Sequence, residues 1–154
     1  MAEKKFRLRI YTPDEVKVDE YVGMVIMRCT TGAMGIMAGH ESRSAVLDYG
    51  VVRIIKNKIE YGIAVFGGIA EMRDNVLTIL TSEAKTADDF TVDETEAALR
   101  AAKDSRDHRT DLEIAQDQIT IRRSLVQLEV SSYPNISSSA DDDSDDKPPP
   151  SITI

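Results

Sequence analysis

From Phe6 to Leu80, apolar side chains recur at every second position or in short runs, and turn formers break them every 8 to 12 residues. A pleated strand sends successive side chains to opposite faces, so this rhythm describes many short strands with a buried side, as in an all-β sandwich or barrel. Phe6, Leu8 and Ile10 alternate with Arg7, Arg9 and Tyr11 until Thr12-Pro13-Asp14 stops the run. Val16 and Val18 make a short second strand, and Val22 to Cys29 is nearly continuous in apolar character, as a strand covered on both faces would be. A brief strand around Met34 to Ile36 is expected after the turn Thr30-Thr31-Gly32. Ala45 to Leu47 and Val51 to Ile55 flank Asp48-Tyr49-Gly50, and Lys56-Asn57-Lys58 tips over into Ile59 to Phe66. Gly67-Gly68 then marks a bulge before Ile69 to Met72, and Asp74-Asn75 turns into Val76 to Leu80.

At Asp88 the rhythm changes to a helical one. Thr91-Val92-Asp93-Glu94 has the capping-box form, with a hydroxyl and a carboxylate placed to satisfy free N–H groups at a helix start, and a helix through Lys103 follows. Thr110-Asp111-Leu112-Glu113 repeats the device and predicts a second helix from Asp111 to Val130. The first helix has Leu99 as its only large apolar side chain, among Ala97, Ala98, Ala101 and Ala102, so it offers a smooth surface that buries little. On the second, 100° per residue sets Leu112, Ala115, Ile119 and Val126 on one side and Ile114, Ile121, Leu125 and Leu128 nearly opposite. One stripe can pack on the first helix. The other requires the sandwich, or a different partner in another conformation.

The expected class is therefore mainly β with α: an N-terminal β-sandwich of about ten strands over residues 1–87, a C-terminal α-helical hairpin over 88–130, and a disordered acidic tail over 131–154. The tail lacks periodicity, is rich in Ser, Asp and Pro, and carries -4 of the net charge of -8. That acidity argues against nucleic-acid binding, which needs a concentrated positive field. A single cysteine, Cys29, excludes an intrachain disulfide and reads as a small core residue. No apolar run approaches the ~20 residues of a membrane-spanning helix, and no apolar segment follows the lysines at the N-terminus, so neither membrane insertion nor a secretory signal is expected.

Reaction chemistry is sparse. His40-Glu41-Ser42 puts a base, an acid and a hydroxyl side by side, but sequence neighbours point in different directions and no G-x-S-x-G frame surrounds them. Cys29, His40 and His108 are too scattered for a zinc site. Gly32, Gly35 and Gly39 fit neither the dinucleotide fingerprint nor a P-loop, and are read as permitting positive φ at strand crossovers. No catalytic, metal or cofactor residue is assigned.

Several motifs follow one another in a specific order. These are Thr12-Pro13, the Gly-Ile-x-x-Gly-His core within Gly32 to His40, Tyr49-Gly50-Val51-Val52-Arg53-Ile54, Phe66-Gly67-Gly68-Ile69-Ala70-Glu71-Met72, and Leu80-Thr81-Ser82-Glu83-Ala84. Together with the paired helices, this order resembles the epsilon-subunit family of F-type ATP synthases over roughly residues 6 to 130. Ala33, Met34 and Ala38 depart from the family's commoner residues, and the acidic tail lies outside its pattern.

The resemblance implies a non-catalytic rotor subunit that couples proton translocation to ATP synthesis by linking the gamma shaft to the c-ring. The hairpin would fold down, or extend along gamma to block ATP hydrolysis. It further implies a peripheral position on the cytoplasmic face of a bacterial plasma membrane, or the equivalent face in an organelle. Gly32, Met34, Gly35, Met37 and His40 become contact surface at the base of the sandwich. Arg109, Arg122 and Arg123 become candidates for the acidic loop of the beta subunits, unless they only solvate the helix. Some relatives bind ATP through an Ile/Leu-Asp-x-x-Arg-Ala motif. Here Val92-Asp93-Glu94-Thr95-Glu96-Ala97 puts Glu96 in the arginine's place, which predicts absent or weak ATP binding. Two other classes remain beside this one: a stand-alone β-sandwich binding module and a small hydrolase using His40, Glu41 and Ser42.

Overall fold

In β1, Phe6–Tyr11, the alternation is realised residue by residue: Phe6, Leu8 and Ile10 are fully buried, while Arg7, Arg9 and Tyr11 lie on the other face. The structure, a computed structural model, describes residues 4–104 and 110–136. Seven further strands follow: β2 Val16–Val22, β3 Met24–Cys29, β4 Gly32–Met37, β5 Arg43–Lys56, β6 Ile59–Arg73, β7 Val76–Leu80 and β8 Ala84–Lys85. They form one sheet in the order β2-β1-β7-β6-β5-β3-β4, with β8 also on β6. The β1–β7 ladder is parallel and the others are antiparallel. The two-residue hairpins at Asn57-Lys58 and Asp74-Asn75 hold all four of those residues at positive φ, the twist that matches flanking strands.

Strands far apart in that order share one core. Leu8 and Ile10 of β1 pack in the same cluster as Val25 and Met27 of β3 and Ile36 of β4. A flat sheet could not bring them together, so the sheet is folded over itself into the two layers of a sandwich.

The corner lies in the two long strands. Inward positions run Leu47, then Val52 and Ile54 in β5, and Ile63 and Val65, then Ala70 and Met72 in β6. The alternation thus skips a step near Asp48–Gly50 and Phe66–Gly68, while the pairing keeps its register from Leu47–Gly68 to Tyr49–Phe66. Gly67 and Gly68 absorb the step at φ of 82° and 131°. A Cβ on Gly68 would lie 2.2 Å from the Leu80 carbonyl oxygen, so the backbones touch there. The buried Thr81 hydroxyl closes the corner by donating to Gly67 O at 2.8 Å.

This corner corrects the expected count of about ten strands: the described residues form eight. Turn-forming residues inside β5 and β6 bend a continuous ladder without ending it, so each pair of expected short strands is one long one. The expected run Val22 to Cys29 is divided instead, at Gly23, between β2 and β3.

Two helices follow a 3-10 turn at Ala87–Asp89: α1 Val92–Asp104 and α2 Asp111–Val130. The capping box at α2 is present as its sequence predicts. The Glu113 N–H donates to Thr110 Oγ1 at 3.3 Å, and the Thr110 N–H donates to Glu113 Oε2 at 2.8 Å. Thr95 and Ala102 are the buried residues of α1. Neither predicted stripe of α2 is buried along its length. Burial concentrates in the C-terminal half, where Val126 and Val130 pack with Val51, Ala64 and Phe66 on the outer face of β5 and β6. Leu112, Ile114, Ile119 and Leu125 are exposed.

The tail is expected to be disordered from residue 131, but its first six residues are ordered. Residues 131–136 turn after α2 and return to the sandwich, with Tyr133 and Ile136 packed against it. Tyr, Pro and Ile supply apolar anchors that the acidic composition of the whole tail concealed. Arg109, His108 and the acidic run lie outside the described residues.

Candidate partner-binding surfaces

The layer that begins with β2 carries an apolar row on its outer face. Val16 pairs with Tyr11, Tyr11 with Leu80, Leu80 with Ile69, and Ile69 with Val46. Side chains of directly paired residues stand together on one face, so five apolar groups line up across five strands. Val16, Leu80, Ile69 and Val46 are each exposed by 53 to 57 %. Single exposed aliphatics need no explanation, whereas a contiguous band of them marks a surface meant to be covered.

The neighbouring row is polar. Asp19 pairs with Arg9, Arg9 with Thr78, Thr78 with Glu71, and Glu71 with Ser44. Arg7 grips Asp19 with two hydrogen bonds of 2.8 and 2.9 Å. That contact holds the Asp19 carboxyl below its ordinary pKa and the Arg7 guanidinium above its own. An apolar band bordered by fixed charges has the anatomy of a protein interface. Sequence reading missed this row. Each member is a strand residue out of phase with the core, which alternation reveals, but only the register shows that they adjoin.

The stretch Gly32–His40 is mostly strand, and the expected contact residues do not form one surface. Gly32 pairs with Cys29 at one end of β4, while Met37 pairs with Met24 at the other, and a strand of this length spans roughly 17–20 Å. Gly32 turns at φ 125°. Gly35 is open to solvent, with Met24 Cε 3.2 Å from where its Cβ would stand. Met34 leans on the core.

Met37 is exposed and shares its end of the sandwich with His40. There the Gly39 N–H, at φ 80°, donates to Asn75 Oδ1 at 3.0 Å, and Asn75 Nδ2 donates to Lys5 O at 3.1 Å. The His40 ring Nδ1 meets the Glu41 carbonyl oxygen at 2.8 Å, and the His40 backbone N–H donates to Met37 O at 3.2 Å. These bonds brace a loop. Among the described residues no three of His, Cys, Asp and Glu gather to hold a metal ion.

Arg122 and Arg123 both face the sandwich. Arg122 Nη2 donates to Asp48 Oδ1 at 2.6 Å, and its guanidinium carbon stands 4.8 Å from the Tyr49 ring centroid. Arg123 pairs with Glu83 and covers Phe66. Tyr49 and Phe66 meet edge to face, with centroids 5.7 Å apart. In this conformation neither arginine is free for an acidic partner. Their acids and rings lie 40 to 74 residues earlier in the chain, out of reach of a local sequence pattern.

No helix of the described residues is long and apolar enough to cross a membrane. The model of the ATP synthase delta/epsilon chain β-sandwich domain matches residues 5–87. The ATP synthase epsilon chain of Bacillus pumilus is 32 % identical over 128 residues, which is 83 % of this chain and 98 % of that one. That of Prochlorococcus marinus is 31 % identical over 118 residues, 77 % of this chain and 87 % of its own. In fold, the chain matches one in the Euglena gracilis mitochondrial ATP synthase structure of OSCP, F1 and c-ring. The TM-score is 0.72 at 24 % identity, over 81 % of this chain and 79 % of that one. A second match is to the Tetrahymena thermophila mitochondrial ATP synthase central stalk and c-ring, with a TM-score of 0.57 at 13 % identity, over 86 % of this chain and all of that one. Sandwich, helix pair and relatives agree, and the chain belongs to the ATP synthase delta/epsilon family, among its epsilon chains.

Proposed function

We propose that this chain is a non-catalytic subunit of the ATP synthase rotor, linking the gamma shaft to the c-ring so that proton translocation drives ATP synthesis. The apolar row Val16-Tyr11-Leu80-Ile69-Val46 carries the reading, because it is a contiguous apolar band across five strands that α2 leaves uncovered. We assign it to gamma. The end bearing Met37 and His40, with Ile59 exposed beside the Asn57-Lys58 turn, is assigned to the polar loops of the c-ring. The subunit then sits peripherally at the membrane face that holds the catalytic sector. Inhibition of hydrolysis by an extended hairpin belongs to the same proposal, and Arg122 and Arg123 would reach the beta subunits only after leaving Asp48 and Glu83. ATP binding at Glu96 has no part in it.

The test is co-purification with gamma. Ile69→Asp and Leu80→Asp place a charge in the row without touching the core and should cut recovery of gamma at least tenfold, while Glu71→Gln in the polar row leaves it unchanged. Recovery unaffected by either aspartate overturns the assignment, and a native chain that binds no gamma overturns the rotor reading itself.

A further inference from the structure

Both ends of the helical hairpin are tied to one edge of β6. Before the helices, β8 pairs along that edge, Lys85 with Ala64 and Ala84 with Val65. After α2 the chain turns, with the Tyr133 N–H donating to Val130 O at 3.0 Å. It then returns to the edge opposite β5, where the Gly62 N–H donates to Pro134 O at 3.3 Å.

Three side chains fasten this return. Tyr133 rests on Gly62 so closely that a Cβ there would stand 2.6 Å from the tyrosine Cβ and Cγ. Glycine is the residue that lets the ring down onto the strand. Asn135 Oδ1 accepts from the Ala87 N–H at 3.0 Å, joining the segment after α2 to the turn before α1. Ile136 packs against the main sandwich core.

We propose that Tyr133–Ile136 is an intramolecular strap that closes the hairpin into a loop on the sandwich, so that the helices swing away only after the strap peels from β6. A hairpin fixed at its first end alone is a lever on one hinge. Fixed at both ends, it is a closed loop whose opening must break the Gly62–Pro134 and Ala87–Asn135 hydrogen bonds and expose Tyr133 and Ile136. The contacts are few and half-exposed, which suits a strap that releases: two anchors, one ladder bond and one side-chain bond. The inference concerns the isolated chain and does not depend on what the sandwich binds.

Hydrogen exchange on three purified chains tests it: the full chain, a chain ending at Ala140 that keeps the strap, and a chain ending at Ser132 that lacks it. The α2 amides from Ile121 to Val130 should exchange at least tenfold faster in the chain ending at Ser132 and at the native rate in the chain ending at Ala140. Amides of β1 and β7 should be unchanged in all three. The full-length double variant Tyr133→Ser, Ile136→Ser should reproduce the loosening without a new terminus. Equal α2 protection in all three chains would overturn the proposal. So would equal loss in both truncations, which places the fastening beyond Ala140, or accelerated exchange in β1 and β7, which makes the segment part of the sandwich core.

Discussion

The guanidinium carbon of Arg123 stands 4.2 Å from the centroid of the Phe66 ring, with Glu83 as its ion-pair partner. One residue earlier, Arg122 repeats the arrangement over Tyr49 with Asp48. Each arginine has a ring beneath and a carboxylate beside it, and the two rings touch edge to face. A planar cation satisfies both demands at once, lying flat on the ring while its edge N–H groups reach the carboxylate, whereas an ammonium has no flat face to stack. The middle of α2 is therefore held to the sandwich corner electrostatically, and its C-terminal half by burial of Val126 and Val130.

Replacing Arg123 with Ala should weaken α2 docking by about 1 kcal/mol, the order expected for one partly exposed cation–π contact with a surface ion pair. Arg123→Lys should recover only part of it, because the stack is lost. Hydrogen exchange of α2 reads this directly: roughly fivefold faster for the alanine variant, with β1 and β7 unchanged.

Acid should loosen the same anchor. Burial pushes the Glu83 carboxyl up, but the hydrogen bonds and charges of Arg123 and Lys85 outweigh it and hold its pKa below the ordinary glutamate value. At Asp89, burial is likewise outweighed by Lys17, 2.8 Å away, and by Thr86. A carboxyl whose pKa is depressed by folding stabilises the fold above its unfolded pKa and loses that contribution as pH falls through the folded one. Docking of the linker and α2 should thus be steady from pH 7 to about 5 and weaken below about 4.3. Glu83→Gln should be less stable at pH 7 and show a flatter decline in urea unfolding between pH 5 and 3.

What could be read from the sequence was local. Phe6, Leu8 and Ile10 announce a strand because one face of β1 is buried throughout, and Thr110 with Glu113 announces a helix start because both halves of the cap lie within four residues. The corner was half legible: Gly67-Gly68 signalled irregular backbone, but nothing local tells a bend within a paired ladder from the end of a strand. The row from Val16 to Val46, the seats of Arg122 and Arg123, and the return of Tyr133 to Gly62 join residues far apart in the chain. Their partners are set by register and layer packing, so their chemistry was visible in the sequence and their geometry was not.

Two glycines at positive φ should differ sharply on substitution. Gly68→Ala combines strained backbone at φ 131° with a Cβ 2.2 Å from the Leu80 carbonyl oxygen, and the obstacle is main chain that cannot rotate aside. Gly39→Ala at φ 80° meets nothing within 4 Å. Urea unfolding should show a loss of about 1 kcal/mol for Gly39→Ala, from conformational strain alone, and more than about 3 kcal/mol for Gly68→Ala. Equal losses would mean that the corner relaxes and the close approach of Gly68 to Leu80 is not a constraint on the fold.

The nucleotide question turns on the sign of one charge. Glu96 is exposed on α1, so a phosphate brought to it meets a solvated carboxylate, and the repulsion at contact distance is about 1 kcal/mol in water. An arginine there would contribute an attraction of similar size, so the exchange of sign is worth about 2 kcal/mol, roughly thirtyfold in affinity. Calorimetric titration with ATP should show no saturable binding to the native chain at micromolar concentrations. Glu96→Arg should bind at least tenfold more tightly than the native chain, since Asp93 and Ala97 already stand at their motif positions. A micromolar dissociation constant for the native chain would show that other groups neutralise Glu96. A variant that binds no better would show that the surface of α1 lacks the remaining contacts a nucleotide requires.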